Sequence, residues 1–246
     1  VNMAVISVDS RFAVFEAEKT LESGLATILF SSDISTIEEK RLKDIAARNN
    51  VLLMGPDCGV CSINGKAFVL ASRTNIGAVG LVGPSGSGLQ ELSAVLAEMG
   101  IGISQAIGTG GYDLHPDVGG STTKAGIRYL DQDEKTELII LFYKKTDDTV
   151  REEISKLVQA CTKPIIVCSF GEPPEYWRSR GIGAYETMDG SAMAAAAVLR
   201  NAAASESISP FSRPDQEILS LIHQCREKYS LEGRYLKGVF GAGTFS

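Results

Sequence analysis

Nine residues, Gly83-Pro84-Ser85-Gly86-Ser87-Gly88-Leu89-Gln90-Glu91, combine the residue types that handle an anion with the spacing that would aim them. An apolar run, Ala78–Val82, precedes them, and apolar residues at helical spacing follow (Leu92, Val95, Leu96, Met99). That order predicts a strand, a tight turn and a helix from Leu89 to Met99. Glycine lets the backbone turn sharply and lets a ligand approach without interference from a Cβ. Ser87, three residues before Gln90, matches an N-cap with its capping-box partner. The N–H groups of Gly86, Ser87 and Gly88, with the Ser85 and Ser87 hydroxyls, would then face an oxyanion at the positive end of the helix dipole. The same residues also fit an ordinary capped βα turn. No Gly-Lys-Ser/Thr follows and no full G-x-G-x-x-G is present, so neither nucleotide-loop signature applies.

Two further glycine-bearing turns follow apolar runs. Gly55-Pro56-Asp57-Cys58-Gly59 succeeds Val51–Met54, and Gly108-Thr109-Gly110-Gly111 succeeds Gly102–Ile107. In open parallel sheets ligands sit beyond the carboxyl ends of strands. The three turns would therefore line one cleft if the two halves of the chain pack together. Two of them, 83–88 and 108–111, are expected to carry helix amino ends suited to a phosphate.

The elements that must position these turns alternate. Strands at Met3–Val8, Leu25–Phe30 and Val51–Met54 enclose helices at Phe12–Leu21 and from Ser35-Thr36-Ile37-Glu38, a capping-box match, to about Arg48. Near-continuous apolar strands in that order imply a parallel sheet covered by helices. Ile63–Thr74 reads as a short hairpin or linker, and the pattern restarts at Ala78. Strands at 78–82, 102–107, 138–143, 164–170 and 183–185 then alternate with helices, which predicts a flavodoxin-like, doubly wound domain. Ser205–Pro214 reads as a linker, Asp215–Tyr229 as a polar helix and Tyr235–Gly243 as the start of another strand. The chain opens on a strand-like run without a methionine and stops soon after another, so a longer protein is expected.

Net charge of −6 argues against nucleic acid or an anionic membrane as the main partner. The longest apolar runs, Leu138–Tyr143 and Ala192–Leu199, are too short to cross a bilayer, and no secretory leader is visible, so a cytoplasmic protein is expected. Five cysteines at 58, 61, 161, 168 and 225 do not form a disulfide framework. Cys58-Gly-Val-Cys61 lacks a second pair, and with only His115 and His223 available no metal site is expected.

At the three turns the sequence resembles the α subunit of succinyl-CoA synthetase and, more closely, FdrA-type proteins of the acyl-CoA synthetase superfamily. The residues that carry this are Leu53–Gly59, Gly80–Leu92, Ala106–Leu114, Asp117–Gly120 and Lys163-Pro164. The resemblance spans about residues 3 to 204. It implies an α/β chain in which 1–74 is the carboxy-terminal part of a CoA-binding Rossmann-like domain whose first strand and Gly-rich turn are missing. Residues 75–204 would form the flavodoxin-like ligase CoA domain, and 205–246 a linker, a helix and the start of a further domain. It also implies coenzyme A as a possible cofactor, with Pro56, Asp57, Cys58 and Gly59 near its thiol end. Gly108, Gly110 and Gly111, with Ser85–Gly88, would bind phosphate or an acyl or carbamoyl phosphate. Nucleotide with magnesium would enter only through a partner subunit or additional domain, in an oligomer.

Two departures bear on mechanism. The histidine that carries a phosphoryl group in the synthetases lies in a Gly-His-Ala-Gly motif; the matching Ser179–Ala184 has none. The family's glutamate that orients that histidine falls near Lys144, and losing both is self-consistent, since an oriented nucleophile needs its orienting group. Lys144 and Ser87 are then the candidate catalytic residues, with Lys144 at the cleft rim. Three functions remain open: carbamoyl or acyl transfer in purine or oxamate nitrogen metabolism without a phosphohistidine, an ADP-forming acyl-CoA ligase, or a non-catalytic subunit.

Overall fold

The computed structural model of the chain describes residues 2–200 and 215–228. The chain divides at Ala204/Ser205, and helix α8 (Asp215–Lys228) belongs to the second unit. The expected linker at 205–214 and strand at 235–243 lie outside the described residues. Among the described residues no helix is long and apolar enough to cross a membrane.

The first unit opens with β1 (Met3–Ile6), α1 (Ser10–Glu22), β2 (Ala26–Leu29), α2 (Thr36–Arg48) and β3 (Leu53–Met54). The three strands form a parallel sheet in the order β1-β2-β3. Local chemistry fixes the helix starts. The Asp9 side chain accepts from the Arg11 N–H, and Ser35 and Glu38 form the expected capping box. Buried Ala13, Ala17 and Leu21 pack with Leu42, Ile45 and Leu29 into one core between helices and sheet.

A second sheet takes β4 (Val60–Ile63), β5 (Lys66–Val69), β6 (Ile76–Gly83), β7 (Ile103–Gly108), β8 (Leu138–Lys144), β9 (Ile165–Phe170) and β10 (Gly183–Tyr185), in the order β10-β9-β8-β6-β7-β4-β5. Its parallel core is the flavodoxin-like order, with β6 and β7 as the first two strands. Helices α3 (Gly86–Glu98), α4 (Ser121–Gln132), α5 (Asp148–Ala160), the single turn α6 (Glu175–Arg178) and α7 (Met188–Leu199) cover its faces. The two sheets do not divide at the expected 74/75 position. Hairpin β4–β5 pairs antiparallel with β7 (Ser62 beside Ala106), so the second sheet begins at Val60. The physical reason is burial: Val60 and Cys61 find their apolar partners in this sheet's cores.

Gly80 shows how tightly helix and sheet meet. A Cβ there would lie 2.8 Å from Leu130 Cδ2 and 2.9 Å from Thr136 Cγ2. Valine suits a strand better than glycine by propensity, but overpacking costs about 1–3 kcal/mol. Gly80→Val is therefore expected to lower the urea midpoint; a raised midpoint would show that strand propensity outweighs this contact.

Candidate functional site

The 83–88 turn ends β6 and opens α3 at Gly86, three residues earlier than the sequence pattern suggests. The N-cap is Ser85 and not Ser87: Ser85 Oγ accepts from the Gly88 N–H at 3.0 Å. Gln90 closes no capping box and instead accepts from the Ser72 N–H at 3.1 Å. The cap consumes the Gly88 N–H, which corrects the donor set expected for an anion. What stays open is the half-buried first turn of α3. There the N–H groups of Gly86 and Ser87 have no acceptor among the described residues, and Ser87 Oγ lies 3.5 Å from Ser85 Oγ.

The three turns meet around residues 55–60. A Cβ on Gly86 would lie 3.5 Å from Gly59 Cα. A Cβ on Gly108 would lie 2.5 Å from the Val60 carbonyl oxygen and 2.8 Å from Cys58 Sγ. At Gly110, where φ is +98°, it would lie 2.3 Å from the Pro56 carbonyl oxygen. Gly108 and Gly110 thus admit the neighbouring backbone. Cys58 is 1% exposed and packs into this contact, with its thiol 3.7 Å from the Val60 carbonyl. The hydrogen bond with Cys58, together with burial, pushes the Cys61 thiol far up, so Cys61 is no thiolate.

The helix amino end expected at 108–111 is also displaced. α4 begins at Ser121, and its first turn is filled by the chain itself. Asp113 Oδ1 accepts from the Thr122 N–H at 2.9 Å, and Oδ2 accepts from the Thr123 N–H at 2.8 Å and the Thr123 hydroxyl at 2.6 Å. A carboxylate already occupies the place a phosphate would take.

Asp113 is held in turn by Lys43, a residue the sequence reading did not single out. Lys43 Nζ donates to Asp113 Oδ1 at 2.7 Å, to the Thr109 carbonyl at 3.1 Å and to Glu39 Oε1. All three charged side chains are at most 3% exposed as residues. Lys43 thereby clamps α2 of the first sheet to the 108–111 turn of the second. The only sequence trace is the i,i+4 pair Glu39/Lys43, a spacing that usually marks a solvated helix face.

Glu39 also stands in the wall of an open cavity of about 710 Å³ at the carboxyl end of the first sheet. The wall comprises Ser32–Thr36, Glu39, Pro56, Asp57, Gly111, Tyr112 and His115. Of the expected residues, Pro56, Asp57 and Gly111 reach it, whereas Cys58 and Ser85–Gly88 do not. The 32–36 segment, which the sequence marks only as the start of α2, follows β2 and so occupies the end where such sheets place ligands. Burial, more than the nearby Asp33 charge, holds the Asp57 carboxyl above its usual range. Burial likewise raises Glu39 against the opposing pull of Lys43.

Lys144 ends β8 beside Phe170, half-buried, with no side-chain partner among the described residues. Phe142, two residues earlier, faces Gly83, whose Cβ would lie 2.5 Å from the Phe142 carbonyl oxygen. The strand register therefore puts Lys144 at the same end of the sheet as the α3 turn. Ser179–Ala184 lies at the other end: Gly183 opens β10 beside Ile166, near the amino end of β9. It is not a loop over the glycine turns. His115 is exposed, 3.4 Å from Asp117, and His223 is exposed on α8. Among the described residues no three His, Cys, Asp or Glu side chains are grouped to hold a metal ion.

Removing the Lys43 charge leaves two buried carboxylates facing each other without a cation. Breaking a buried pair in this way costs about 3–5 kcal/mol. Lys43→Met is expected to destabilise by that amount in urea unfolding; a loss below about 1 kcal/mol would mean that the cluster is hydrated and not a clamp.

No family model matches the chain. It is 36% identical over 249 aligned residues to the uncharacterized protein YahF of Escherichia coli strain K12, covering 99% of this chain and 46% of that protein. It is 27% identical over 182 residues to the alpha subunit of ADP-forming succinate–CoA ligase from Aquifex aeolicus, covering 70% of this chain and 58% of that subunit. The chain thus spans about half the length of the curated relatives it matches. Among solved structures it superposes on ATP citrate lyase from Methanothrix soehngenii, in complex with citrate and coenzyme A, with a TM-score of 0.68 at 14% identity, over 96% of this chain and 45% of that one. The chain has the α/β, CoA-binding Rossmann-like fold of these neighbours, and its sequence is similar to that of a CoA-ligase alpha subunit.

Proposed function

We propose that the chain is the CoA-binding part of an acyl-CoA synthetase-type enzyme, in which the amino end of α3 holds the anionic group being transferred. The observation that carries this is the contrast between two helix amino ends at the same end of one sheet, on its opposite faces. That of α4 is closed by Asp113, while the Gly86 and Ser87 N–H groups in the first turn of α3, beside Gly59, have no acceptor among the described residues. Donors fixed in place before the charge arrives stabilise it without reorganisation. The Ser87 hydroxyl adds a third donor, and Lys144, on the neighbouring strand, supplies positive charge from the rim.

The finer reading is transfer of an acyl or carbamoyl group from its phosphate, in the manner of an FdrA-type protein acting in purine or oxamate nitrogen metabolism. Cys58 and its turn would border the thiol end of coenzyme A. The lack of a histidine in Ser179–Ala184, and the position of that segment at the far end of the sheet, favour a route without a phosphohistidine. The name of the succinate–CoA ligase relative favours a second reading, an ADP-forming ligase. In either case nucleotide and magnesium would come from a partner subunit or a further domain, in keeping with relatives of which the chain covers 46% and 58%.

The test is calorimetric titration of the full-length protein with inorganic phosphate and with coenzyme A. Phosphate is expected to bind, to be lost in Gly86→Val because the branched side chain blocks the turn, and to weaken about tenfold in Lys144→Ala. Unchanged affinity in both variants would place the anion elsewhere. Incubation with labelled nucleoside triphosphate and magnesium is expected to leave no acid-labile phosphate on the chain. A label lost on replacing His115 or His223 would favour the ligase reading instead.

A further inference from the structure

The chain leaves β5 through a backbone that its sequence does not favour. Val69, the last residue of that strand, has φ of +61°, the left-handed region in which a β-branched side chain crowds its own backbone. A tight turn follows, with the Ala71 N–H donating to the Phe68 carbonyl at 3.1 Å; glycine is the ordinary occupant of a positive-φ position in such a turn. A conformation of this kind persists only where neighbouring contacts over-determine it, and it is concentrated at ligand clamps and switch segments. Here the Leu70 N–H donates to the Gly59 carbonyl at 3.1 Å, and the Ser72 N–H to Gln90 Oε1 at 3.1 Å. Ala71 packs against the core that contains Leu89 and Leu92 of α3. Little else holds the segment, since Leu70, Ser72 and Arg73 are exposed. Both hydrogen bonds end at the α3 turn. A Cβ on Gly59 would lie 4.0 Å from Gly86 Cα, and Gln90 stands one helical turn beyond Gly86 on the same face.

We propose that Leu70–Arg73 is a sprung strap that regulates the amino end of α3, with Gln90 as its latch and Val69 as its spring. Latched, the strap holds Gly59 against Gly86 and walls in an anion on the first turn. Released, Val69 returns to extended backbone, the wall lifts and the anion exchanges with solvent. One hydrogen bond is worth about as much as the strain that opposes it, so both positions are within reach. The Gln90 side chain is neutral and latches without adding negative charge beside the anion. This role rests on the reading of α3 as the anion site, but the motion itself is readable without any anion.

Hydrogen–deuterium exchange of the full-length protein at the Leu70 amide reads the strap, because that amide is bonded to Gly59 and not to Gln90. Without phosphate, Gln90→Leu is expected to speed its exchange about fivefold and Val69→Gly to slow it about fivefold, after correction for the new neighbour. Gln90→Glu keeps an acceptor for Ser72 and should leave the rate near that of the wild type. In calorimetric titration, phosphate is expected to bind about fivefold more weakly to Gln90→Leu, and the double variant Val69→Gly/Gln90→Leu should recover the loss, since removing the spring offsets removing the latch. Leu70 exchange unchanged in Gln90→Leu would overturn the strap, and so would faster exchange with unchanged phosphate affinity. A wild type that binds no phosphate would overturn the α3 reading and the strap's role together; phosphate binding that Gln90→Leu leaves unchanged would overturn the strap alone.

Discussion

One buried ammonium organises the functional end of this molecule. Lys43 leaves α2 and ends between Asp113, Glu39 and the Thr109 carbonyl, with 2% of its side chain exposed. Desolvating it is expensive, and only several well-placed acceptors can offset that. Those acceptors come from α2, the 108–111 turn and the segment before α4. The clamp therefore fixes how the first sheet sits on the second, and with it how the 55–59 turn meets the other two.

The clamp also divides labour between helix ends. Because Asp113 is anchored by Lys43, it can close the amino end of α4 as an internal anion. Among the described residues α3 is capped by Ser85, and its first two N–H groups have no acceptor. Negative charge is thereby welcome at one point along the row of strand ends and unwelcome at the next, where Asp33, Asp57 and Glu39 line the cavity.

Much of this architecture is legible in the sequence because it is local. Apolar runs between glycine turns mark the parallel strands, and Ser35 with Glu38 marks the start of α2. The failures are non-local. Ser87 and Gln90 satisfy the capping-box spacing, yet Ser85 wins the cap and Gln90 reaches Ser72 instead. Gly108 and Gly110 look like ligand glycines, but each makes room for the 55–60 backbone. Glu39, Lys43 and Asp113 could not be joined by spacing, since Asp113 lies 70 positions from Lys43 and only the packed sheets bring them together. The hairpin expected within Ile63–Thr74 starts at Val60, and its pairing with β7 is hidden for the same reason: that partner strand comes later in the chain.

The central claim is that the three turns form one mechanical and functional unit. Hydrogen–deuterium exchange of the full-length protein, with and without inorganic phosphate, tests it most directly, because it reports each turn separately. The account predicts that phosphate slows exchange in 55–59, 83–88 and 108–111 together, with the largest effect at Gly86 and Ser87. Protection confined to 83–88, or protection that bypasses all three turns, would contradict it.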